Sequence, residues 1–231
     1  GVGWSLGGFS QITRCPKTLR VAGKAAPVTY SVSDQFCLDG NPLVLLADGT
    51  YRTKIETFSK IELTGTGTEM TWKVYSKEGR IMTFAPQGVI RQYKLPDHIP
   101  PIPGAPDKST PAVPGWWITK IEDRFGNDIV FEYTNGNGPD ADESAWTVER
   151  YPTKVTYNRP NYAREVSLTY GDRPTHDVLE SYVYGIRYVT TKLLKSMSAC
   201  VERISAKVSG SSGSPAEGVS DSTVIVVSLS R

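Results

Sequence analysis

The chain predicts an all-β fold of antiparallel hairpins, and three observations carry that prediction. Short stretches alternate apolar and polar residues with period two, turn formers separate them, and long helical patterns are nearly absent. Twelve Tyr, five Trp, 21 Gly and 16 Pro make a composition that favours strands and turns. At 231 residues, 39% hydrophobic and 22% charged, the chain is long enough to bury a substantial core and too apolar for general disorder. Residues 1–231 are read as one β domain.

Taken in order, the opening combines Gly1, Gly3, Gly7 and Gly8 with Trp4, Leu6, Phe9 and Ile12, a tightly folded β segment that runs as an apolar strand into Cys15-Pro16. The block Asp34-Gln35-Phe36-Cys37-Leu38-Asp39-Gly40 follows. Residues 53–63 alternate broadly, with Ile55, Ile61 and Leu63 on one face, and predict a half-buried strand. Gly65-Thr66-Gly67-Thr68 turns the chain into a cleaner alternation over 70–75, and Lys77-Glu78-Gly79 returns it as a hairpin partner over 80–84. A short strand is expected over 89–93.

Residues 96–114 hold seven prolines, which lack amide donors and do not sit inside a sheet ladder, so this stretch predicts a loop. It is read as a surface excursion, a linker between lobes or a proline-motif ligand. Beyond it an internal echo begins. Strands at 118–121 and 129–133 flank Gly126-Asn127, a favoured hairpin turn; 152–157 and 165–170 repeat the arrangement. A third copy starts near Thr191-Lys192-Leu193, with 200–208 or 224–229 as its returning strand. Residues 177–197 favour extended structure, with a short helical turn over 192–197, and the Gly/Ser-rich stretch 209–222 predicts a flexible loop before the last strand.

The order of the pieces is more specific than any one of them: GWSLGG, ITRCP, DQFCLDG, TYRTKIETFSKI, WKVYSKEGRIMTF and ITKIEDRFGNDIVFEY. Together they resemble the SpvB-type domain, the N-terminal module of virulence-plasmid B proteins, of toxin-complex B components and of related Rhs/YD-repeat proteins. The resemblance is closest over residues 1–134. It implies hairpins stacked into a large curved sheet or partial shell, acting without catalysis as part of the encapsulating wall of a secreted toxin or Rhs-like protein. The partners it implies are the remainder of a parent toxin/Rhs polypeptide or a shell-forming subunit. The localisation it implies is the producer's cytoplasm before export and the extracellular space after it. The chain opens at Gly1 without a basic or apolar leader, so a fragment of a longer protein is expected. The alternative function is an aromatic-rich β module that binds a glycan or a cell-surface protein.

Within the resemblance, Cys15 and Cys37 occupy the two defining blocks, each beside a turn former, and are expected to lie close together. Two outcomes stay open: a disulfide, or two buried thiols. Cys200 is expected to remain unpaired. Virulence-plasmid B proteins also carry a separate C-terminal ADP-ribosyltransferase domain, but nothing in this chain matches that enzyme's motif.

No catalytic, cofactor-binding or metal-binding residue is predicted. The two histidines, His98 and His176, lack a nucleophile setting, and His176 and Asp177, as sequence neighbours, point apart in a strand. The three cysteines show no CxxC pair for zinc, and Asp140-Ala141-Asp142-Glu143 lacks the spacing and turn glycine of a calcium loop. No phosphate-binding glycine motif is present, and no cofactor is expected. With 26 basic and 24 acidic residues scattered along the chain, no nucleic-acid footprint is visible. No apolar run reaches the length of a membrane-spanning helix, so membrane insertion by this segment is not expected. Trp116-Trp117 fits a carbohydrate platform or core packing, with one indole facing inward and the other facing solvent or a second layer.

Overall fold

The computed structural model describes residues 6–31, 33–86, 113–135, 147–157, 164–184, 186–201 and 223–228. Eight strands come first: β1 (Gln11–Cys15), β2 (Gln35–Leu38), β3 (Asn41–Leu45), β4 (Tyr51–Thr53), β5 (Lys60–Thr64), β6 (Thr71–Tyr75), β7 (Ile81–Pro86) and β8 (Gly115–Glu122). Each pairs antiparallel with the next, and β1 pairs in turn with β8, so the eight close into a barrel. Closure removes the exposed edges that an open sheet would leave.

Five more strands continue the same sheet past the barrel: β9 (Asp128–Asn135), β11 (Arg150–Tyr157), β12 (Arg164–Asp172), β15 (Lys192–Val201) and β16 (Thr223–Ser228). The sheet forks at β8. The end of β8 at Gly115–Trp117 pairs with β1, and the other end, Lys120–Glu122, pairs with β9. Ile118 N donates to Ser10 O at 3.1 Å between the two pairings. An aromatic wedge holds the fork apart, with Phe9 edge-on to Phe131 and Tyr133 and Trp117 edge-on to Tyr133. A second sheet of three strands orders β10 (Thr147–Val148), β14 (Ile186–Thr190) and β13 (Leu179–Val183).

The hairpins at 118–133 and 152–170 form as β8–β9 and β11–β12, and the third copy pairs β15 with β16, so the strand at 224–229 is the returning one. Trp116 is fully buried while Trp117 lies in the outer aromatic layer, as the alternation of a strand requires. Three hairpins, at Leu46–Thr50, Ser76–Arg80 and Asp123–Asn127, share one turn. In the last, Gly126 N donates to Asp123 O at 3.1 Å and Asp123 N to Asn127 O at 3.0 Å. Gly49, Gly79 and Gly126 hold φ of +81°, +80° and +84°. This is a three-residue loop with glycine in a left-handed bulge, not the two-residue primed turn that Gly126-Asn127 suggested.

Two further readings are corrected. Residues 53–63 are two strands and a connection: the Asn41 side chain bonds both N and O of Ile55, and Phe58 turns the chain at a φ of +56°. Ile55 is consequently 73% exposed while Ile61 is fully buried. Residues 192–197 are extended within β15 rather than helical. Among the described residues the one α-helix, α1 (Leu19–Ala22), lies in the β1–β2 connection. The expected strand at 89–93, the loop at 209–222 and all of 96–114 but Val113 and Pro114 fall outside the described residues.

The barrel interior is filled by side chains. Trp72 is fully buried and meets Phe36, Tyr51 and Trp116 edge to face, with centroids 4.9, 5.2 and 5.9 Å away. Ile12, Leu43, Ile61, Met70, Val74, Phe84, Val113 and Ile118 are buried in the same core.

Candidate functional site

Two junctions give the fold its distinctive chemistry. The first lies where the β1–β2 connection leaves the barrel. Ile12 and Arg14 alternate onto the inner face of β1, which carries a guanidinium to the barrel mouth. Burying that charge requires a partner, and Asp34 supplies one, with Arg14 Nη1 3.0 Å from Asp34 Oδ2. Arg14 also donates to Ser31 O at 2.7 Å and, through Nε, to Val113 O at 2.9 Å. Its guanidinium carbon stands 5.3 Å from the Phe36 ring centroid and 5.5 Å from that of Trp116. Desolvation pulls the pKa of Arg14 below its usual value and the Asp34 charge works against that shift. Asp34 Oδ1 accepts from both N and Oγ1 of Thr29, so one carboxylate organises the whole turn.

Tyr30 stands inside that turn at a φ of +58°. Its ring packs against the buried Ile186 of the three-stranded sheet, which Val148 and Tyr188 also cover, and its hydroxyl donates to Tyr184 O at 2.9 Å. Burial, followed by the nearby Tyr188, raises the Tyr30 pKa. The turn thus joins the barrel mouth to the second sheet.

Directly beside it, Cys15 and Cys37 are joined in a disulfide with α-carbons 6.0 Å apart. Cys15 pairs with Gln35 and Cys37 with Thr13, so the bridge runs diagonally across the β1–β2 ladder. Cys200 is a free thiol.

The second junction is a buried carboxylate between the open strip and the three-stranded sheet. Glu149 Oε1 accepts from Tyr151 Oη, Thr191 N and Thr191 Oγ1 at 2.5, 2.6 and 2.5 Å, and Tyr151 Oη accepts from Lys192 N at 2.9 Å. Burial and the Glu149 hydrogen bond push the Tyr151 hydroxyl up to about 12. These bonds tie the start of β11 to the start of β15.

His176 is exposed in a single 3-10 turn that also carries Asp177, in place of the expected strand, and Asp177 binds Arg173 at 3.0 Å. His98 and 140–143 lie outside the described residues. Among the described residues no group of three or more His, Cys, Asp or Glu is placed to hold a metal. Sequence reading missed Arg14, Asp34, Tyr30 and Glu149. Arg14 had a usable signal: period two puts it on the same face as Ile12, and a cation on a core face demands a carboxylate.

The molecule is therefore an all-β protein in which a closed eight-stranded barrel feeds an open antiparallel strip. No protein-family model matches the chain, and no curated protein matches its sequence. Solved structures match its fold. Against the Tc holotoxin pore of Photorhabdus luminescens the TM-score is 0.62 at 17% identity, covering 95% of this chain and 12% of that one. Against the TcdB2-TccC3-Cdc42 complex it is 0.56 at 19% identity, covering 84% of this chain and 11% of that one. The N-terminal domain of the effector SpvB from Salmonella typhimurium strain LT2 matches with a TM-score of 0.55 at 14% identity, covering 95% of this chain and 87% of that domain. The chain has a Tc/SpvB-like fold and spans about a tenth of the Tc chains it matches.

Proposed function

We propose that this chain is a non-enzymatic structural module, one section of the wall of an encapsulating β-shell in a secreted toxin or Rhs-like protein. One observation carries the reading. The sheet does not end where the barrel closes but runs five strands further, to β16, whose outer edge has no strand partner among the described residues. An unpaired edge is a template for another strand. In this reading the remainder of the parent polypeptide, or a shell-forming subunit, supplies that strand, and the wall holds a cargo polypeptide away from its surroundings. The fold match to chains of toxin complexes supports it.

The test is hydrogen exchange at β16, measured in this chain alone and within a longer polypeptide that carries it. Slowing of at least tenfold in the longer polypeptide is expected, and equal exchange in both contradicts the reading. Turnover of NAD, an ester or a glycoside that disappears in His176→Ala contradicts the non-enzymatic part.

A second reading, glycan binding, is favoured by one patch. Tyr182 and Tyr184 are 68% and 46% exposed beside the Glu180–Arg187 ion pair, an aromatic row with polar neighbours. Saturable binding of an oligosaccharide, lost in Tyr182→Ala, would establish it.

A further inference from the structure

We infer that the Cys15–Cys37 disulfide is a redox-sensitive latch that fixes the seat of the three-stranded sheet on the barrel, and that its reduction releases that seat while leaving the barrel closed. Three observations connect the bond to the seat. Cys15 is the last residue of β1 and Cys37 lies within β2, so the bridge closes the base of the connection that carries Thr29, Tyr30, Ser31 and Asp34. Among the described residues, two side chains otherwise hold that connection to the barrel: Arg14, which reaches both Ser31 O and Asp34 at its Tyr30 end, and Lys54, whose Nζ donates to Arg20 O at 3.0 Å at its exposed α1 end. Tyr30 then makes the contact outward, to the cluster around Ile186 and to Tyr184 O.

The rest of the connection gives little independent support. α1 spans four residues and buries none of them, and beyond it one isolated bridge, Lys17 with Ala26, closes the loop on itself. Tyr30 holds a left-handed φ that a tyrosine adopts only under constraint, so loosening the loop ends lets the residue leave it. The barrel core does not share this dependence, because β5 to β8 are paired on both sides and filled by Trp72, Phe84 and Ile118.

The chemistry needs a dithiol reductant. Its thiolate attacks the sulfur of Cys15, the more exposed of the two cysteines, and Cys37 leaves as a thiolate. The second thiol of the reductant then displaces Cys15 from the mixed disulfide. Two electrons and two protons pass to the protein, and the reductant becomes a disulfide. Thiol-rich cytosol opens the latch and an oxidising compartment closes it. That biological consequence rests on the export reading above, whereas the latch itself does not.

The experiment compares hydrogen exchange in the oxidised chain, the dithiol-treated chain and the double variant Cys15→Ala/Cys37→Ala, with Cys200→Ser as the control. Exchange at 29–34 and at 186–190 is expected to rise at least tenfold in the reduced chain and in the double variant. It is expected to stay unchanged over β5–β8, and Cys200→Ser should keep the oxidised pattern. Unchanged exchange at 186–190, in a sample whose two thiols are shown to be free by alkylation, overturns the proposal. Equal acceleration over β5–β8 also overturns it, since the bond would then brace the whole barrel and not the seat.

Discussion

The barrel and the strip are built from the same antiparallel hairpins, yet they bury their side chains differently. Each of the eight barrel strands places at least one side chain no more than 4% exposed against the common interior, from Ile12 in β1 to Trp116 and Ile118 in β8. In the strip, β11 contributes Tyr151 and β12 contributes Leu168, and the neighbouring positions of both strands are mostly half-buried. Closing the sheet lets the barrel cover its own apolar surface. Among the described residues, the strip has the hydrogen bonds of a sheet without a full second layer.

The largest expected effect sharpens that contrast. Trp72→Ala removes the centre of the barrel core and should cost about 3–5 kcal/mol, whereas Val166→Ala in β12, half-buried, should cost about 1 kcal/mol; thermal and denaturant unfolding measure both. Similar costs would break the comparison. Next in size is Glu149→Ala, which leaves Thr191 N, Thr191 Oγ1 and the Tyr151 hydroxyl without their acceptor and should cost about 1–3 kcal/mol. Its effect should appear as faster exchange where β11 and β15 begin, not in β5–β8.

A smaller effect is expected at the turns. Gly126→Val forces a β-branched residue to a φ of +84° and should cost about 1 kcal/mol or more, although open space surrounds the position. Gly49→Val and Gly79→Val should behave alike, because all three share one turn geometry. An unchanged melting midpoint in all three would count against that turn.

The smallest effect depends on pH. Asp123 accepts from Asn127 Nδ2, Phe125 N and Asn127 N, and these bonds, the Asn127 side chain first, lower its pKa. A depressed folded value means a contribution present above the ordinary aspartate pKa of about 4 and lost as pH falls through the folded value. Amide exchange at Phe125 and Asn127 should therefore speed up in acid beyond its intrinsic trend, and Asp123→Asn should abolish that extra slope.

The hairpins were legible because each is local. A period-two run, a glycine turn and a second run place β6–β7 and β8–β9 without any distant information, and two period-two runs on either side of Pro160 place β11–β12. Closure was not legible, because the β1–β8 pairing joins Ile12 to Trp116 across the whole barrel and depends on twist and stagger that no short window records. Residues 53–63 misled for a related reason. Ile55 fits the strand alternation, but the Asn41 side chain, fourteen positions earlier, captures its backbone and ends the strand. Arg14 was readable as a cation on a core face, whereas Tyr30 at the first junction and Glu149 at the second owe their roles to contacts more than forty positions away.

Native-state hydrogen exchange in rising denaturant tests the division between barrel and strip most directly. If the barrel is complete in itself and the strip is not, amides of β5–β8 exchange only through global unfolding, while protection falls along the strip from β9 to β16 through openings that cost less than global unfolding. Amides of β15 and β16 that exchange only with global unfolding, at the same free energy as those of β6, would contradict the account.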